Sequence, residues 1–456
     1  MVLLAYHRQF YSIMADKNKV THIAAFFLAS VGFVLNLIAY CPGFMSPDSL
    51  EVYLQSIDHH YLDSHPPVMA GLWSVFNKFY QSPVTMLLLQ LALFWASFYL
   101  LATTWLSSRR NQVFLFVGVL LAPFIQNFLG YLIGDSQMAL SWLFSFCLIA
   151  GAEYKKRRMT VPEAVFSFLF LLYGSLVRIN ALPGALPLFY FYFANCLRWT
   201  QRRSLIVGAT LISAASVIGC QVLSKHIFQA EKKYPEYKLY LQDISGIYVK
   251  TGKNYFPSFI TQYKGFDTNY LKSNFTTATI DNLYYGDRAP FPRLTDSNSN
   301  TIHRAWITSI LDNPGIYLQN RWEGFLYFLH IKKRSWLVVL HAEVSPNNLG
   351  ITFRRNFISN LFLAPISFQS WMIYMKPWFW LIVNIATLIA AFFIYDPVIK
   401  KSVVVLAASS LLYLAGEFFI VPVDTDFRYC YWNCLSLFIS TAFLLTRRGF
   451  KKRLVK

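Results

Sequence analysis

The sequence predicts an all-α protein that crosses a membrane several times, and three observations carry this prediction. Of 456 residues, 55% are hydrophobic, 18% aromatic and only 14% charged, whereas charged residues make up about 25% of a soluble domain. Several stretches of about 20 residues carry almost no charge, which is enough for a helix to cross a hydrocarbon core. Short basic clusters flank these stretches, as is typical of the cytoplasmic ends of membrane spans.

Charge and cysteine content argue against other classes. The formal net charge of +19 would suit a nucleic-acid-binding protein, but the basic residues lie beside apolar spans, so we predict no nucleic-acid partner. The six cysteines lie in or beside apolar spans and form no CxxC pair. We therefore expect neither a disulfide framework nor a zinc site. The sequence identifies no certain cofactor and leaves a divalent metal ion open.

The apolar stretches predict about ten membrane helices, or about twelve if one ambiguous segment adds a hairpin. With the N-terminus inside, every inside segment is basic, and the short outside loops near 133–135 and 422–428 hold only one basic residue, Arg428. This asymmetry predicts a multi-pass protein of the cell inner (cytoplasmic) membrane with both termini cytoplasmic. The predicted spans are approximately 20–41, 84–106, 112–132, 136–153, 162–178, 181–197, 204–223, 377–395, 402–421 and 429–446.

These spans divide the chain into three parts. Residues 1–223 form an N-terminal membrane module with a first outside loop at 42–83. Residues 224–376 form an α-rich outside (periplasmic) domain, in which 323–376 contributes either interfacial helices or the extra hairpin. Residues 377–456 form the C-terminal membrane helices and a basic cytoplasmic tail.

The first outside loop predicts two short helices that lie in the membrane interface. The first, Ser49–Ile57, carries apolar residues such as Leu50 and Tyr53 on one face, which is a helical pattern. The second, Pro67–Phe79, is apolar and aromatic and begins with proline, which is tolerated at a helix start. Both patterns suit amphipathic interfacial helices.

Asp48 is the strongest candidate for a catalytic residue. A carboxylate placed where the chain leaves the bilayer of so apolar a protein is costly without a function, and a carboxylate can accept the proton of an attacking hydroxyl. A structural alternative is that Asp48 caps the following helix, with Glu51 completing a capping box. The two interpretations are compatible.

Four residues further along the same loop allow a metal cluster, although their spacing matches no specific site. The alternative is a polar turn between two helices. These residues are His59, His60, Asp63 and His65.

Further polar residues are predicted on the same side of the membrane. Acidic groups and arginines at one membrane depth suit a substrate with a phosphate and sugar hydroxyls, because arginine binds phosphate through a planar fork. The alternative is that Arg178 and Arg428 pair with Asp135 and Asp426 only for packing. The residues are Asp135 after the third span, Arg178 and Asn180 after the fifth, Glu417 in the ninth, and Asp424, Asp426, Arg428 and Tyr429 before the last.

In these motifs the chain resembles the GT-C glycosyltransferases, which take a sugar from a polyprenyl-phosphate donor and include the lipid A aminoarabinose transferase and the protein O-mannosyltransferases. The resemblance covers roughly the whole chain. One departure is Ser-Pro-Asp-Ser in place of paired acids, which weakens the case for a metal, since one acid alone is a poor metal site. The matching segments are Pro42-Gly43-Phe44-Met45-Ser46-Pro47-Asp48-Ser49 with His65-Pro66-Pro67, Asp135, Val177-Arg178-Ile179-Asn180-Ala181-Leu182 with Leu186-Pro187-Leu188, Asn313-Pro314-Gly315-Ile316-Tyr317-Leu318 with Arg321, and Asp426-Phe427-Arg428-Tyr429.

The resemblance implies a GT-C-like helical bundle and an inverting sugar transfer at the outer membrane face. It implies catalytic roles for Asp48 and Asp135, with Asp48 as the general base. The acceptor would be an envelope glycan, lipid or protein, and the lipid tail of the donor would lie between spans. Tyr284, Tyr285 and Trp306 are candidates for stacking on sugars, with core packing as the alternative. The implied substrate-binding residues are Glu51, His65, Arg178, Asn180, Arg321, Glu417, Asp426, Arg428 and Tyr429.

Three other functions remain open at this stage. A glycan polymerase of the O-antigen type would use similar lipid-linked sugars. A flippase or transporter for lipid-linked glycans would do no covalent chemistry, but would more often show related halves and broken helices at the midplane. A scaffolding membrane protein would not need a set of acids on one side.

Overall fold

The computed structural model describes residues 2–106, 108–197, 201–285, 288–333, 341–369, 371–420 and 425–444. Within these ranges the protein is all-helical, with isolated β-bridges and no β-strand, which confirms the all-α part of the prediction. The predicted basic tail, Arg198 and Asp424 lie outside these ranges. The helices are α1 (Val2–Tyr40), α2 (Pro47–Asp58), α3 (Val68–Asn77), α4 (Val84–Trp105), α5 (Arg109–Leu120), α6 (Pro123–Leu129), α7 (Gly134–Tyr154), α8 (Val161–Leu176), α9 (Leu182–Tyr192), α10 (Arg202–Val222), α11 (Glu236–Thr251), α12 (Ser258–Thr261), α13 (Thr268–Asn274), α14 (Asp281–Tyr284), α15 (Asp296–Asp312), α16 (Pro314–Phe328), α17 (Phe357–Gln369), α18 (Pro377–Ala391), α19 (Pro397–Ile420) and α20 (Tyr431–Leu444).

Among the described residues, four helices are long and apolar enough to cross a membrane, and the number is six if each of two bent helix pairs counts as one span. This is fewer than the ten predicted, although a helix lies at each predicted position. The protein therefore has several helices that are long and apolar enough to span a membrane. The four helices are Val20–Tyr40, Val84–Trp105, Arg202–Ile227 and Pro397–Ile420.

Sharp bends occur at two places, one inside the predicted span 112–132 and one between the predicted spans 162–178 and 181–197. Helices α5 and α6 meet at 67°, at a break just before Pro123, where proline disfavours a continuing helix. Helix α8 and the helical segment Ile179–Leu197 meet at 119°. This second bend turns the polar stretch around Arg178 into the helical bundle.

Helix α7 lies at the centre of the bundle and is buried along most of its length. It packs against α4, α8, α19 and α20. Its polar side chains bond to neighbouring helices: Gln137 donates to Gln90 at 2.8 Å, and Ser145 donates to the carbonyl of Ser167 at 2.7 Å. Because it faces protein on all sides, this helix does not need the apolar composition of a helix that faces lipid.

A second hydrophobic core lies within residues 234–306 and is separate from the core of the bundle. Helices α11 and α15 pack together around it. The buried ion pair between Arg321 on α16 and Asp243 on α11 measures 2.6 Å, and Arg321 also donates to the carbonyl of Phe419 on α19. This side chain therefore ties the second core to the bundle.

The ambiguous segment 323–376 contains the end of α16 and helix α17. Helix α17 packs against α1 and α6 and contributes to the core of the bundle. Its 13 residues correspond to about 20 Å, which is short of a full crossing. The interfacial-helix interpretation fits this length better than the extra hairpin does.

Candidate functional site

Helix α2 carries Asp48 in its first turn, and its cap differs from the one proposed from sequence. The N-cap is Ser46, whose side chain accepts a hydrogen bond from the backbone N–H of Ser49 at 3.3 Å, and Pro47 is the first helical residue. The expectation that Asp48 caps this helix is wrong, because Ser46 already fills the position and proline suits the one after it. Glu51 forms no capping box and instead accepts from Ser64 Oγ at 2.9 Å.

Three extended segments hold the start of α2 beside the start of α7. The backbone N–H of Phe44 donates to the carbonyl of Gly130 at 2.8 Å, and that of Leu132 donates to the carbonyl of Phe44 at 2.9 Å. On the other side of the same segment, Met45 pairs with the backbone at Glu343 and Ser345. Backbone pairing thus fixes the relative positions of the two helix starts that carry Asp48 and Asp135.

Asp48 contacts a different side chain through each carboxylate oxygen. Oδ2 lies 3.4 Å from Nη1 of Arg428, and Oδ1 lies 3.8 Å from Nε2 of His65. Burial raises the pKa of Asp48, but the contacts with His65 and Arg428 outweigh it and hold this pKa well below its usual range. Asp48 is therefore ionised at any physiological pH.

The guanidinium groups of Arg428 and Arg178 both contact the ring of Tyr429. The guanidinium carbon of Arg428 lies 5.2 Å from the centre of the Tyr429 ring, and that of Arg178 lies 5.3 Å from it. Arg428 Nε is also 3.3 Å from Asp426 Oδ2. A ring that contacts two cations through its π-system is a favourable cation–π arrangement.

The second half of the cluster is buried deeper in the bundle. Arg178 Nε lies 3.3 Å from Asp135 Oδ1, and it donates to Asn180 Oδ1 at 3.1 Å. Asn180 in turn donates to Glu417 at 2.5 Å. Asp135 is 1% exposed and Glu417 is fully buried. A continuous chain of polar contacts therefore runs from His65 through Asp48 to Glu417, and we call these residues the polar cluster: His65, Asp48, Arg428, Asp426, Tyr429, Arg178, Asp135, Asn180 and Glu417.

Other residues proposed from sequence lie apart from the polar cluster. Glu51 is held by Ser64, and Arg321 is buried in its ion pair with Asp243. In the outside segment, Lys238 lies over the rings of both Tyr284 and Tyr285. Trp306 donates to Asp243 Oδ2 at 2.8 Å and packs against Tyr240.

The four residues considered as a metal cluster face different partners. His59 contacts Tyr61, His60 contacts Glu231, Asp63 accepts from the backbone of Lys233, and His65 faces Asp48. Within the described ranges, no group of three His, Cys, Asp or Glu side chains could hold a metal ion.

The polar cluster is also a poor fit for a divalent cation. Arg428 contacts two acids of the cluster. Its guanidinium nitrogens lie 3.4 Å from Asp48 Oδ2 and 3.3 Å from Asp426 Oδ2. Since a divalent cation needs these oxygens for itself, the guanidinium already occupies the position that such an ion would take.

Two residues at the site were not identified from sequence, namely Tyr131 and His341. Their rings stack with centroids 4.5 Å apart and an angle of 8°. His341 Nε2 is buried and has no hydrogen-bond partner among the described residues. Burial, together with the charge of Arg428, lowers the pKa of His341 to about 3, so its imidazole is neutral. Burial likewise raises the pKa of Tyr131 to about 12, against the influence of Arg428.

Two cavities adjoin the polar cluster or the helices that carry it. The first is a cleft of 20 Å³, enough for about one water molecule or one hydroxyl group, and it is lined by Asp48, His65 and Arg178 among others. The second has a volume of 1230 Å³ and runs between helices from Phe124 and Trp380 to Trp105 and Phe443.

Comparison of the chain with protein-family models, with curated proteins and with solved structures finds no match in any of the three.

Proposed function

We propose that the protein is an integral membrane glycosyltransferase that moves a sugar from a polyprenyl-phosphate donor to a glycan, lipid or protein acceptor of the cell envelope. The polar cluster is the observation that carries the proposal. Residues far apart in sequence converge there at one end of apolar helices, with Asp48 next to a cleft of the size of one hydroxyl group. A structural ion-pair network alone gives no reason for such a cleft beside the acids.

The two arginines of the polar cluster suit the phosphate of the donor. A guanidinium group offers five N–H donors in a planar fork, so it can bind phosphate oxygens while it keeps a carboxylate partner. Arg428 is 11% exposed and Arg178 is 17% exposed, so both can be reached from the site. Charge on the departing lipid phosphate would be stabilised by these groups in surroundings of low polarity.

The cavity of 1230 Å³ suits the lipid tail of the donor. Its lining includes several aromatic side chains, among them Trp105, Phe114, Phe124 and Phe438. A largely apolar cavity between membrane helices is a favourable environment for a hydrocarbon chain, because burying each CH₂ group contributes about 0.8 kcal/mol.

The distribution of charge supports an orientation with the polar cluster outside. The helix ends opposite to Asp48 carry basic pairs or clusters, and such residues favour the cytoplasmic side. Lys401 at that end pairs with Glu153 at 2.9 Å. We propose that the protein lies in the cell inner membrane with these ends cytoplasmic. The basic positions are Arg109, Arg110, Lys155, Lys156, Arg157, Arg158, Arg202, Arg203, Lys400 and Lys401.

A comparison of three strains tests the proposal. Cell-envelope glycans and polyprenyl-phosphate sugars are measured by mass spectrometry in cells with the intact gene, with a deletion, and with Asp48→Asn at equal membrane abundance. We expect both altered strains to lose the same sugar from the envelope and to accumulate the same lipid-linked donor, because Asn cannot supply the carboxylate charge of Asp48. A deletion phenotype that Asp48→Asn does not reproduce would favour a transport or scaffolding role.

A further inference from the structure

Both carboxylate oxygens of Asp48 face neighbouring side chains. Its Oδ2 faces Arg428 and its Oδ1 faces His65, so each oxygen already has a positively charged or proton-donating neighbour. Desolvation works against the charged form, but these two neighbours outweigh it and keep the pKa of Asp48 far below neutral. A base that binds a proton so weakly is a poor acceptor for the proton of a hydroxyl group.

His65 lines the cleft together with Asp48. It sits in the loop between α2 and α3, and Pro66 and Pro67 directly after it restrict the backbone. Its Nε2 faces Asp48, and its ring also lines the cleft of 20 Å³. Its side chain is 33% exposed, and no described residue forms a hydrogen bond with Nδ1. One ring nitrogen is thus directed to a carboxylate, while the other has no hydrogen-bond partner among the described residues.

We propose that His65 accepts the proton of the acceptor hydroxyl and that Asp48 orients the imidazole and stabilises its protonated form. This inference rests on the proposed glycosyltransferase function. In this step the hydroxyl oxygen forms a bond to the anomeric carbon while its proton passes to the imidazole. The bond between the anomeric carbon and the phosphate oxygen breaks, and its electron pair leaves with the lipid phosphate. The imidazolium then releases the proton to water.

The arrangement is that of a carboxylate and histidine pair in general base catalysis, in which the acid fixes the imidazole and the imidazole moves the proton. The contact of 3.8 Å is longer than a hydrogen bond, as is common in sites without substrate, where such contacts tighten on binding.

Several charged groups lie on the elements packed around His65. Helix α3, which follows directly, carries no charged residue. The charged groups that face this region are Asp48 and Glu51 on α2, Asp135 at the start of α7, Arg178 between α8 and α9, and Arg428 before α20.

The test uses the full-length protein in vesicles, with lipid-linked sugars and envelope acceptor extracted from the deletion strain. The rate of release of free polyprenyl phosphate is measured from pH 5 to pH 8 for wild type, His65→Gln and His60→Gln. His60 belongs to the same loop, but its side chain is 69% exposed and contacts Glu231, so it serves as the matched control.

We expect His65→Gln to lower kcat by at least about 100-fold with little change in KM for the donor, since proton transfer by a positioned base contributes about 10² to 10⁴. We also expect the wild-type rate to fall on the acid side, where imidazole takes up a proton, and the residual rate of His65→Gln to lose this dependence. His60→Gln should match wild type in both respects.

A wild-type rate that is constant from pH 8 to pH 5, together with a His65→Gln rate close to wild type, would overturn the inference and leave Asp48 as the base. The proposed function would survive that result, because transfer itself would still be observed. If the wild-type protein releases no polyprenyl phosphate under any condition, the proposed function fails and the inference fails with it.

Discussion

At the scale of single residues, the protein keeps its buried charges in contact with opposite charges or hydrogen-bond partners. Arg178 contacts Asp135 directly and donates to Asn180, which in turn donates to Glu417. An isolated charge inside an apolar bundle costs several kcal/mol, whereas a shared network lowers that cost. Acidic side chains buried at this end of the bundle are nevertheless costly to place for packing alone, which agrees with a functional role.

His341 provides a prediction at this scale that does not depend on the proposed function. Its pKa in the folded protein is about 3 because of burial and the charge of Arg428, against about 6.5 for an unperturbed histidine. As the pH falls below about 6.5, the unfolded state therefore binds a proton that the folded state excludes, and stability falls by up to about 1.4 kcal/mol per pH unit. We expect wild type to lose about 2 kcal/mol relative to His341→Gln between pH 6.5 and pH 5.

Thermal unfolding of both proteins in detergent across this pH range measures the effect. A difference in Tm between wild type and His341→Gln that stays constant with pH would show that His341 is accessible to protons in the folded protein.

At the scale of helices, small residues allow the central helices to approach one another closely. Gly174 on α8 faces Trp142 on α7, and a Cβ atom at Gly174 would lie 2.7 Å from Trp142 Cδ1 and 3.1 Å from the carbonyl of Met138. Gly184 on α9 is similarly close to Tyr413 on α19. These contacts matter to the polar cluster because α7, α9 and α19 carry or adjoin Asp135, Asn180 and Glu417.

We therefore expect Gly174→Ala to destabilise the protein by about 1 to 3 kcal/mol, the usual cost of overpacking a tight interface. Gly219→Ala is the matched control, since nothing lies within 4 Å of a Cβ atom there. Alanine in place of a helical glycine should stabilise α10 by about 0.5 to 1 kcal/mol. Thermal unfolding in detergent compares the two variants, and equal changes in Tm would contradict the packing described for α7 and α8.

The positions of the helices could be predicted from sequence because each follows an apolar run, and the short helices α2 and α3 were predicted close to their observed bounds. The cap of α2 could also have been predicted, since Ser46 followed by Pro47 is a stronger helix start than Asp48 with Glu51. The predicted count of ten spans is not confirmed, since four to six helices among the described residues are long and apolar enough to cross a membrane.

Contacts within the site were harder to predict. Asp48 meets Arg428 across 380 residues, and Asn180 meets Glu417 across 237 residues, so only the shared side of the membrane linked them in sequence. No sequence pattern identified His341, because its segment has no helical period. The segment reaches the site through backbone pairing with residues around Met45.

At the scale of the whole molecule, a helical bundle with a large cavity between its helices is joined to a second core. One contact in this joint is made by the buried side chain of Arg321, which contacts Asp243 in one part and the carbonyl of Phe419 in the other. Phe419 is two residues beyond Glu417 on α19, so movement of the second core would be transmitted to the helix that carries a member of the polar cluster. This arrangement suits an acceptor that binds against the second core while the donor lies in the bundle.

The central claim is that the polar cluster breaks the bond between a sugar and a lipid phosphate, and the most direct measurement follows the fate of that bond. Purified wild-type and Asp48→Asn proteins are placed in separate vesicles with the lipid-linked sugars and acceptor extracted from the deletion strain, and intact donor, free polyprenyl phosphate and glycosylated acceptor are quantified by mass spectrometry.

The account predicts that wild type converts donor into free polyprenyl phosphate and an equal amount of glycosylated acceptor, and that Asp48→Asn does so at least about 100-fold more slowly. Recovery of intact donor with wild type, whether or not it has crossed the bilayer, would contradict the account and would identify the polar cluster as part of a transporter or a structural element.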